Sequence, residues 1–343
     1  MVRAGWHKYI IMQYLHSLSL KKRRPSFLFA LQMTAIGMCL VLQMPASAMD
    51  TIANSNPPSA SPIALEKNTP PPYRLHLVTT AHVIGYTGTL LMLNELWYKD
   101  HPRSSFHFFN DSGHWKQMDK AGHTVTAFHF SKLSYRTFRW AGLDNKQATL
   151  WGSISGSAFL TTIELLDGFS REWGASWADI GANTFGALSF MMQQYWWQEQ
   201  KILWKYSFSP SNLSQYRPGL LGSTFAENLI KDYNGQTFWL SFNLRSLLGA
   251  KNSLPPWLNV ALGYGAMGML GSSQNPASHN GRPLPVHNRY RQFYLAPDID
   301  FSRIPTRSPT LQQILTTLNF IKFPAPALEY NSEHGWVLHW VFF

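Results

Sequence analysis

Two periodicities divide the chain. From residue 73 to about 205 apolar positions recur at helical spacing, and beyond Gln236 they alternate one by one. Residues 75–98 form a long apolar segment interrupted by Gly85 and Gly88, with Glu95 near its end. Residues 118–140 read as an amphipathic helix, with Val125, Phe128, Leu133 and Phe138 apolar and Lys132, Arg136 and Arg139 polar. Residues 148–166 form a third helix. Its Gly152-Ser153-Ile154-Ser155-Gly156 stretch puts small residues at i and i+4, which lets a neighbouring backbone come close. Residues 177–197 form a fourth. Helices of roughly 20 residues suit either a membrane bundle or a buried soluble one.

The second half changes rhythm. Phe238, Leu240, Phe242 and Leu244 are separated by mostly polar residues, and Leu258, Val260, Leu262 and Tyr264 alternate with Asn259, Ala261, Gly263 and Gly265. Phe293, Leu295, Ile299 and Phe301 alternate with Gln292, Tyr294, Asp298 and Asp300. The chain ends on an aromatic run from Trp336 to Phe343, like the last strand of outer-membrane barrel proteins. Period two means strands, and apolar-out with polar-in is what a membrane barrel strand shows. A soluble sheet covered on one face gives the same alternation. About five strands follow Gln236, residues 202–208 are a source of another, and a bacterial membrane barrel needs at least about eight. Residues 310–320 read as a short helix, while Pro255-Pro256, Pro283-Leu284-Pro285 and Pro324-Ala325-Pro326 mark breaks between elements. The expected fold class is α+β: an N-terminal four-helix bundle, then a C-terminal antiparallel β-sheet, partial or barrel-like. A peripheral or partly embedded sheet is favoured over a full barrel.

The amino terminus adds an address. Lys21, Lys22, Arg23 and Arg24 precede an apolar run that closes on Pro45-Ala46-Ser47-Ala48, the pattern of an export signal with an A-x-A cleavage site. The long n-region leaves Met12 as an alternative start, and an uncleaved anchor is the alternative to a cleaved signal. The expected organisation is 1–48 signal peptide, 49–72 disordered linker, 73–205 helical domain and 206–343 β-rich domain. Residues 1–48 carry six Lys or Arg and no acid, so the remainder holds +5 of the net +11. That charge has no clustered basic footprint, which argues against nucleic acid. Cys39 is the only cysteine and goes with the signal, so no disulfide framework exists. Charged residues at 14% and aromatics at 15% point to an apolar, membrane-contacting surface, while the slightly negative mean hydropathy argues against an all-membrane-helix chain.

Candidate chemistry lies on polar residues inside the helices. Asp119 and His123 share a face at the start of the second helix, with Lys120 adjacent. Glu164 ends the third, followed by Asp167 and Arg171, and Asp179 and Asn183 lie four apart on the fourth. Antiparallel packing of successive helices brings these ends together, predicting a polar cluster of Asp119, Lys120, His123, Glu164, Asp167, Arg171, Asp179 and Asn183. Its structural alternative has Asp119 capping its helix, Arg171 pairing with Glu164 or Asp167, and Asp179 with Asn183 tying the last helix. His76, His82 and His129 share no ligand spacing and read as packed or interfacial. No G-x-S-x-G, HExxH or phosphate-loop motif occurs.

Three stretches carry a resemblance. Asp119-Lys120-Ala121-Gly122-His123, Glu164-Leu165-Leu166-Asp167-Gly168-Phe169-Ser170, and Trp173-Gly174-Ala175-Ser176-Trp177-Ala178-Asp179 resemble an uncharacterised family of predicted periplasmic lipoproteins. More remotely they resemble the VanZ-like helical membrane proteins linked to glycopeptide resistance. Both share a D-K-x-x-H start, a later acid and a closing S-x-x-D-x-x-x-N/D helix, here Ser176, Asp179 and Asn183. The likeness spans about residues 75–200 and implies no assigned reaction. Met38 before Cys39 departs from a lipobox, and some 140 residues follow the helices.

The resulting expectation is an exported envelope protein at the outer membrane, with the periplasm or inner membrane as alternatives. Its role is structural or lipid-interacting, its partners membrane lipid or envelope components, with oligomeric state left open. No resident cofactor or metal is expected, although the carboxylate–histidine set could hold a divalent cation. The rival is a hydrolase of membrane-lipid or lipid-linked substrates using Asp119, His123 and Glu164 as acid and base.

Overall fold

The computed structural model describes residues 71–94, 102–249 and 253–343. The expected signal peptide, nearly all of the expected linker and the stretch 95–98 of the expected first helix lie outside the described residues. Helix α1 is Tyr73–Leu93, α2 Met118–Trp140, α3 Asn145–Asp167 and α4 Trp177–Trp196. α3 starts where Asp144 accepts from the Gln147 amide at 2.8 Å, and α4 where Ser176 accepts from that of Asp179 at 3.1 Å. Both caps satisfy amides that a helix start leaves without partners. The four helices are present, but α2, α3 and α4 form a tight three-helix core, and α1 lies more loosely beside it.

Small residues set that closeness. A Cβ on Gly152 would stand 2.6 Å from the Tyr135 amide nitrogen, one on Gly156 2.7 Å from that of Ser131, and one on Gly186 2.1 Å from the Thr124 carbonyl oxygen. The i, i+4 glycines of α3 thus seat that helix against the backbone of α2 as their spacing predicts, and Gly186 does the same for α4. Buried at these contacts are Ser131, Ser134, Thr149, Ser153 and Asn183, alongside Phe128, Phe159 and Phe190.

Six strands follow: β1 Ile202–Phe208, β2 Gln236–Asn243, β3 Leu258–Met267, β4 Tyr290–Ile299, β5 Ala325–Asn331 and β6 Gly335–Phe342. They form one antiparallel meander in chain order, so every neighbour in the sheet is a neighbour in sequence. A two-residue hairpin, a short helix Phe225–Lys231 (α5) and the helix Pro309–Leu318 (α6) interrupt the series. β5 corrects the sequence reading, which took Pro324-Ala325-Pro326 as a break. Pro326 is tolerated because β5 pairs with β4 only from Leu328 to Asn331, and the β6 side shifts register between Ala325 and Ala327. The sheet is not closed by pairing β1 to β6. The outer edge of β1 instead exchanges hydrogen bonds with residues 320–322, Tyr206 N to Phe320 O at 2.8 Å and Lys322 N to Tyr206 O at 2.9 Å.

Register places like residues in rows. Trp204, Leu240, Leu262, Leu295, Leu328 and Leu338 stand opposite one another across all six strands. Two residues along the same face runs an aromatic row, Tyr206, Phe238, Tyr264, Phe293, Tyr330 and Trp336. α2 covers this face at β1 and β2, where Met118 and Val125 pack against Phe238, Tyr206 and Trp204. From β3 onward the face is open: Leu262 is 50% exposed, Leu338 56% and Trp340 78%.

The opposite face is buried and polar. Lys205 and Asp298, both fully buried, pair at 2.9 Å, and Ser241 donates to Asp298 at 2.6 Å. Lys322 approaches Asp298 at 3.8 Å with its ammonium over the Trp239 ring. Further along, Glu329 accepts from His339 at 2.7 Å and from Gln292 at 2.8 Å. The sheet therefore buries charge and shows leucine to its surroundings.

Candidate functional site

The predicted cluster assembles where α2, α3 and α4 meet. On α2, the turn from Asp119 to His123 puts both side chains on the face that meets α3 and α4. His123 Nε2 stands 3.8 Å from Asp119 Oδ1, 3.7 Å from Glu164 Oε1 and 3.7 Å from Asp179 Oδ1. Its other nitrogen, Nδ1, is 3.0 Å from Asn183 Oδ1. A carboxamide oxygen only accepts, so Nδ1 carries the proton and donates. Lys120 lies 3.0 Å from Asp119, 3.0 Å from Asp179 and 2.5 Å from Asp111.

Not every predicted member is there. Arg171 is exposed in the α3–α4 connection, where its amide donates to Pro102 O. Asp167 is half-buried and acts at a distance, adding negative charge around Glu164. Asp119 does not cap its helix; it sits in the first turn behind an N-cap, Gln117, that makes no side-chain capping bond. Of the histidines set aside, His82 bonds Val78 O and Ser134 Oγ, His129 bonds Trp204 O at 2.8 Å, and His76 is exposed.

Two members come from places with no sequence signal. Asp111 lies in an irregular stretch before α2, accepting from Ser176 Oγ at 2.5 Å as well as from Lys120. Tyr233 follows α5, more than a hundred residues from Asp119, and donates to Asp119 Oδ1 at 2.7 Å. No periodicity or spacing marks either. Asp111 arrives through the loop that pairs with the α3–α4 connection, Phe109 N to Ala175 O at 3.0 Å, and Tyr233 only once the β-rich half folds against α2.

The approach to α2 is strained. Trp115, Lys116 and Gln117 hold φ of 50°, 53° and 66°, a left-handed turn of three non-glycine residues. Each costs on the order of 1–2 kcal/mol. Bonds to other parts of the chain hold it: Trp115 N to Ser272 O at 2.7 Å, Tyr264 OH to Lys116 O, and Arg291 to Gln117 Oε1 at 2.5 Å. The start of the D-K-x-x-H turn is thus clamped to β3 and β4.

Crowding sets the protonation. Burial pushes the His123 imidazolium down, but Asp179, Asp119 and Glu164 outweigh it and lift its pKa to about 9. Burial pushes Glu164 up to about 9 and Asp179 up to about 6, against the attraction of His123. Burial raises Asp119 as well, yet His123, Lys120 and the Tyr233 hydroxyl together hold it below the usual carboxylate range. Lys120 is desolvated too, but its carboxylates keep it firmly protonated. Asp119, His123 and Asp179 each offer a ligand atom within 4.8 Å of the others.

Residues 107–194 match the model of a family described as predicted periplasmic lipoprotein (DUF2279). The matched stretch takes in α2, α3, nearly all of α4 and each charged member of the centre on them, together with Asp111. It supports an exported protein of the cell envelope, and it carries the lipoprotein resemblance rather than the VanZ-like one. No curated protein and no solved structure is significantly similar to the chain. Among the described residues no helix is long and apolar enough to cross a membrane.

Proposed function

We propose that the protein is a structural, lipid-contacting component of the cell envelope, held at the outer membrane by its apolar outer faces. One observation carries this reading: each half, besides its apolar core, buries polar side chains and turns large apolar ones outward. The helices bury Ser131, Ser153 and Asn183 while Ile84, Trp151, Phe185 and Trp196 face outward. The sheet buries Lys205, Asp298 and Glu329 beside Trp239 and Tyr294, while from β3 onward the leucine and aromatic rows face outward. Small and polar inside, large and apolar outside, is the economy of a protein solvated by lipid. An exposed apolar surface this continuous has no place on a soluble monomer. β3 and β4, at 10 residues each, have the length a tilted spanning strand needs, whereas β1 and β5, at 7, do not. With six strands the sheet is below the size of a self-contained bacterial barrel, which favours partial embedding.

The hydrolase alternative has less support. Hydroxyls beside the centre are already engaged, Ser176 with Asp111 and Tyr233 with Asp119, and three carboxylates crowd the nitrogen that would act as base. Cell fractionation with a carbonate wash tests the proposal. The mature protein is expected to stay in the outer-membrane pellet. Release from both membranes by carbonate would overturn it.

A further inference from the structure

We infer that the helical centre is a binding site for one divalent transition-metal cation, with His123 Nε2, Asp119, Asp179 and Glu164 as ligands. The inference stands apart from the lipid reading. It starts from an imbalance: His123 is buried, its Nδ1–H is taken by Asn183, and its Nε2 makes no hydrogen bond although three carboxylate oxygens face it at 3.7–3.8 Å. In the metal-free protein a proton on Nε2 faces those oxygens from beyond hydrogen-bonding distance; a metal ion in its place bonds the ring nitrogen and the oxygens together. Asp179 Oδ1, on a buried residue, stands 3.0 Å from Lys120 Nζ and 3.7 Å from His123 Nε2, facing the same space.

The spacing suits an ion. A metal bonded at about 2.0–2.2 Å holds its ligand atoms about 3.0–3.5 Å apart; the oxygens stand 3.7–3.8 Å from Nε2 and the Asp119, His123 and Asp179 ligand atoms within 4.8 Å of one another, so binding draws them in by about 1 Å or less. One nitrogen with carboxylate oxygens favours zinc, manganese or iron(II) over magnesium or calcium, which prefer all-oxygen shells. The surroundings are those of a metal ligand set. Asn183 fixes the imidazole tautomer, Tyr233 holds Asp119 Oδ1, and Lys120 holds Asp119 Oδ2 while pairing with Asp179 and Asp111.

The test uses the mature chain purified in detergent, stripped with EDTA and titrated with Co²⁺ and Zn²⁺. Co²⁺ is expected to give visible absorption saturating at one equivalent and displaced by Zn²⁺. Asp179→Asn and His123→Gln should abolish it, and Asn183→Leu should weaken it by about 10–100-fold. X-ray absorption on the wild-type zinc form reads the site without any variant: one imidazole with oxygen neighbours is expected. A shell of several imidazoles, binding retained in both ligand variants, or a wild-type protein that leaves gel filtration without metal overturns the assignment.

Discussion

Replacing Gly186 with alanine puts a methyl group where α4 touches the backbone of α2. Its Cβ would lie 2.1 Å from Thr124 O and 2.9 Å from the Ala127 Cβ, whereas ordinary contact begins at 3.4 Å. A carbonyl oxygen in a helix cannot swing aside, so the two helices must part by about 1 Å. Overpacking of this kind costs about 1–3 kcal/mol. Gly181, on the same helix, is the matched control, since its Cβ would meet nothing within 4 Å. Both changes gain the same intrinsic helix preference, about 0.8–1 kcal/mol, so their difference isolates the steric cost. Gly181→Ala should raise the melting temperature and Gly186→Ala should fall below it by about 1–3 kcal/mol in stability. The effect should reach the centre. Gly186 lies one turn beyond Asn183, and Thr124 follows His123, so parting the helices stretches the 3.0 Å His123–Asn183 bond. Circular dichroism melts of the two variants in one detergent read the outcome. Equal stabilities would refute the claim that glycine sets this interhelical distance.

Other consequences are as direct. Lys205→Met leaves Asp298 buried with only the more distant Lys322 as a counter-charge, and should cost about 3–5 kcal/mol, partly recovered by adding Asp298→Asn; unchanged denaturant midpoints would contradict a buried ion pair. Tyr233→Phe removes a bond to a carboxylate and should cost about 1.5–3 kcal/mol, with a double-mutant cycle to Asp119→Asn giving a coupling of similar size. Stability of the metal-free protein should fall as pH rises from about 6 to 8, above which the buried Lys132 and Lys322, both pushed down to about 8 from 10.5, act in the opposite direction. His123 has a folded pKa near 9, above its unfolded 6.5, so its stabilisation is full below 6.5 and lost through 9. Glu164, near 9, and Asp179, near 6, also bind protons more tightly when folded, so they push in the same direction. Lys120 stays charged across that window, and Asp111 and Asp119 titrate below it. Melting temperatures from pH 6 to 8 should slope downward in wild type and less steeply in His123→Gln; parallel slopes would remove His123 from the explanation.

The helical half was legible because its signals are local. Residues 118–140 coincide with α2, and the glycine spacing of α3 reports a contact that forms. Six of the eight proposed cluster residues come together directly, since helix ends separated by short connections meet by geometry alone. Asp111 could not be read because it lies in an irregular loop placed by pairing with the α3–α4 connection, and Tyr233 because its proximity depends on how the β-rich half folds back. Arg171 was misplaced because a polar residue in a connection is as free to face water as the core. In the sheet, alternation located the strands but not which face turns inward, since a period of two is the same for a soluble sheet and a lipid-facing one. β5 hid behind two prolines whose tolerance depends on where pairing with β4 stops.

The most direct test of the lipid-facing sheet places a spin label on each face. With Cys39 replaced, nitroxides at Leu262→Cys and Leu295→Cys on the outer face are compared with one at Ala327→Cys on the buried face, in the protein reconstituted into bilayers. The outer labels should collide frequently with oxygen, which concentrates in lipid, and rarely with a water-soluble nickel chelate, while the label at 327 stays shielded from both. Outer labels open to the nickel chelate would mean that water, and not lipid, covers the leucine row.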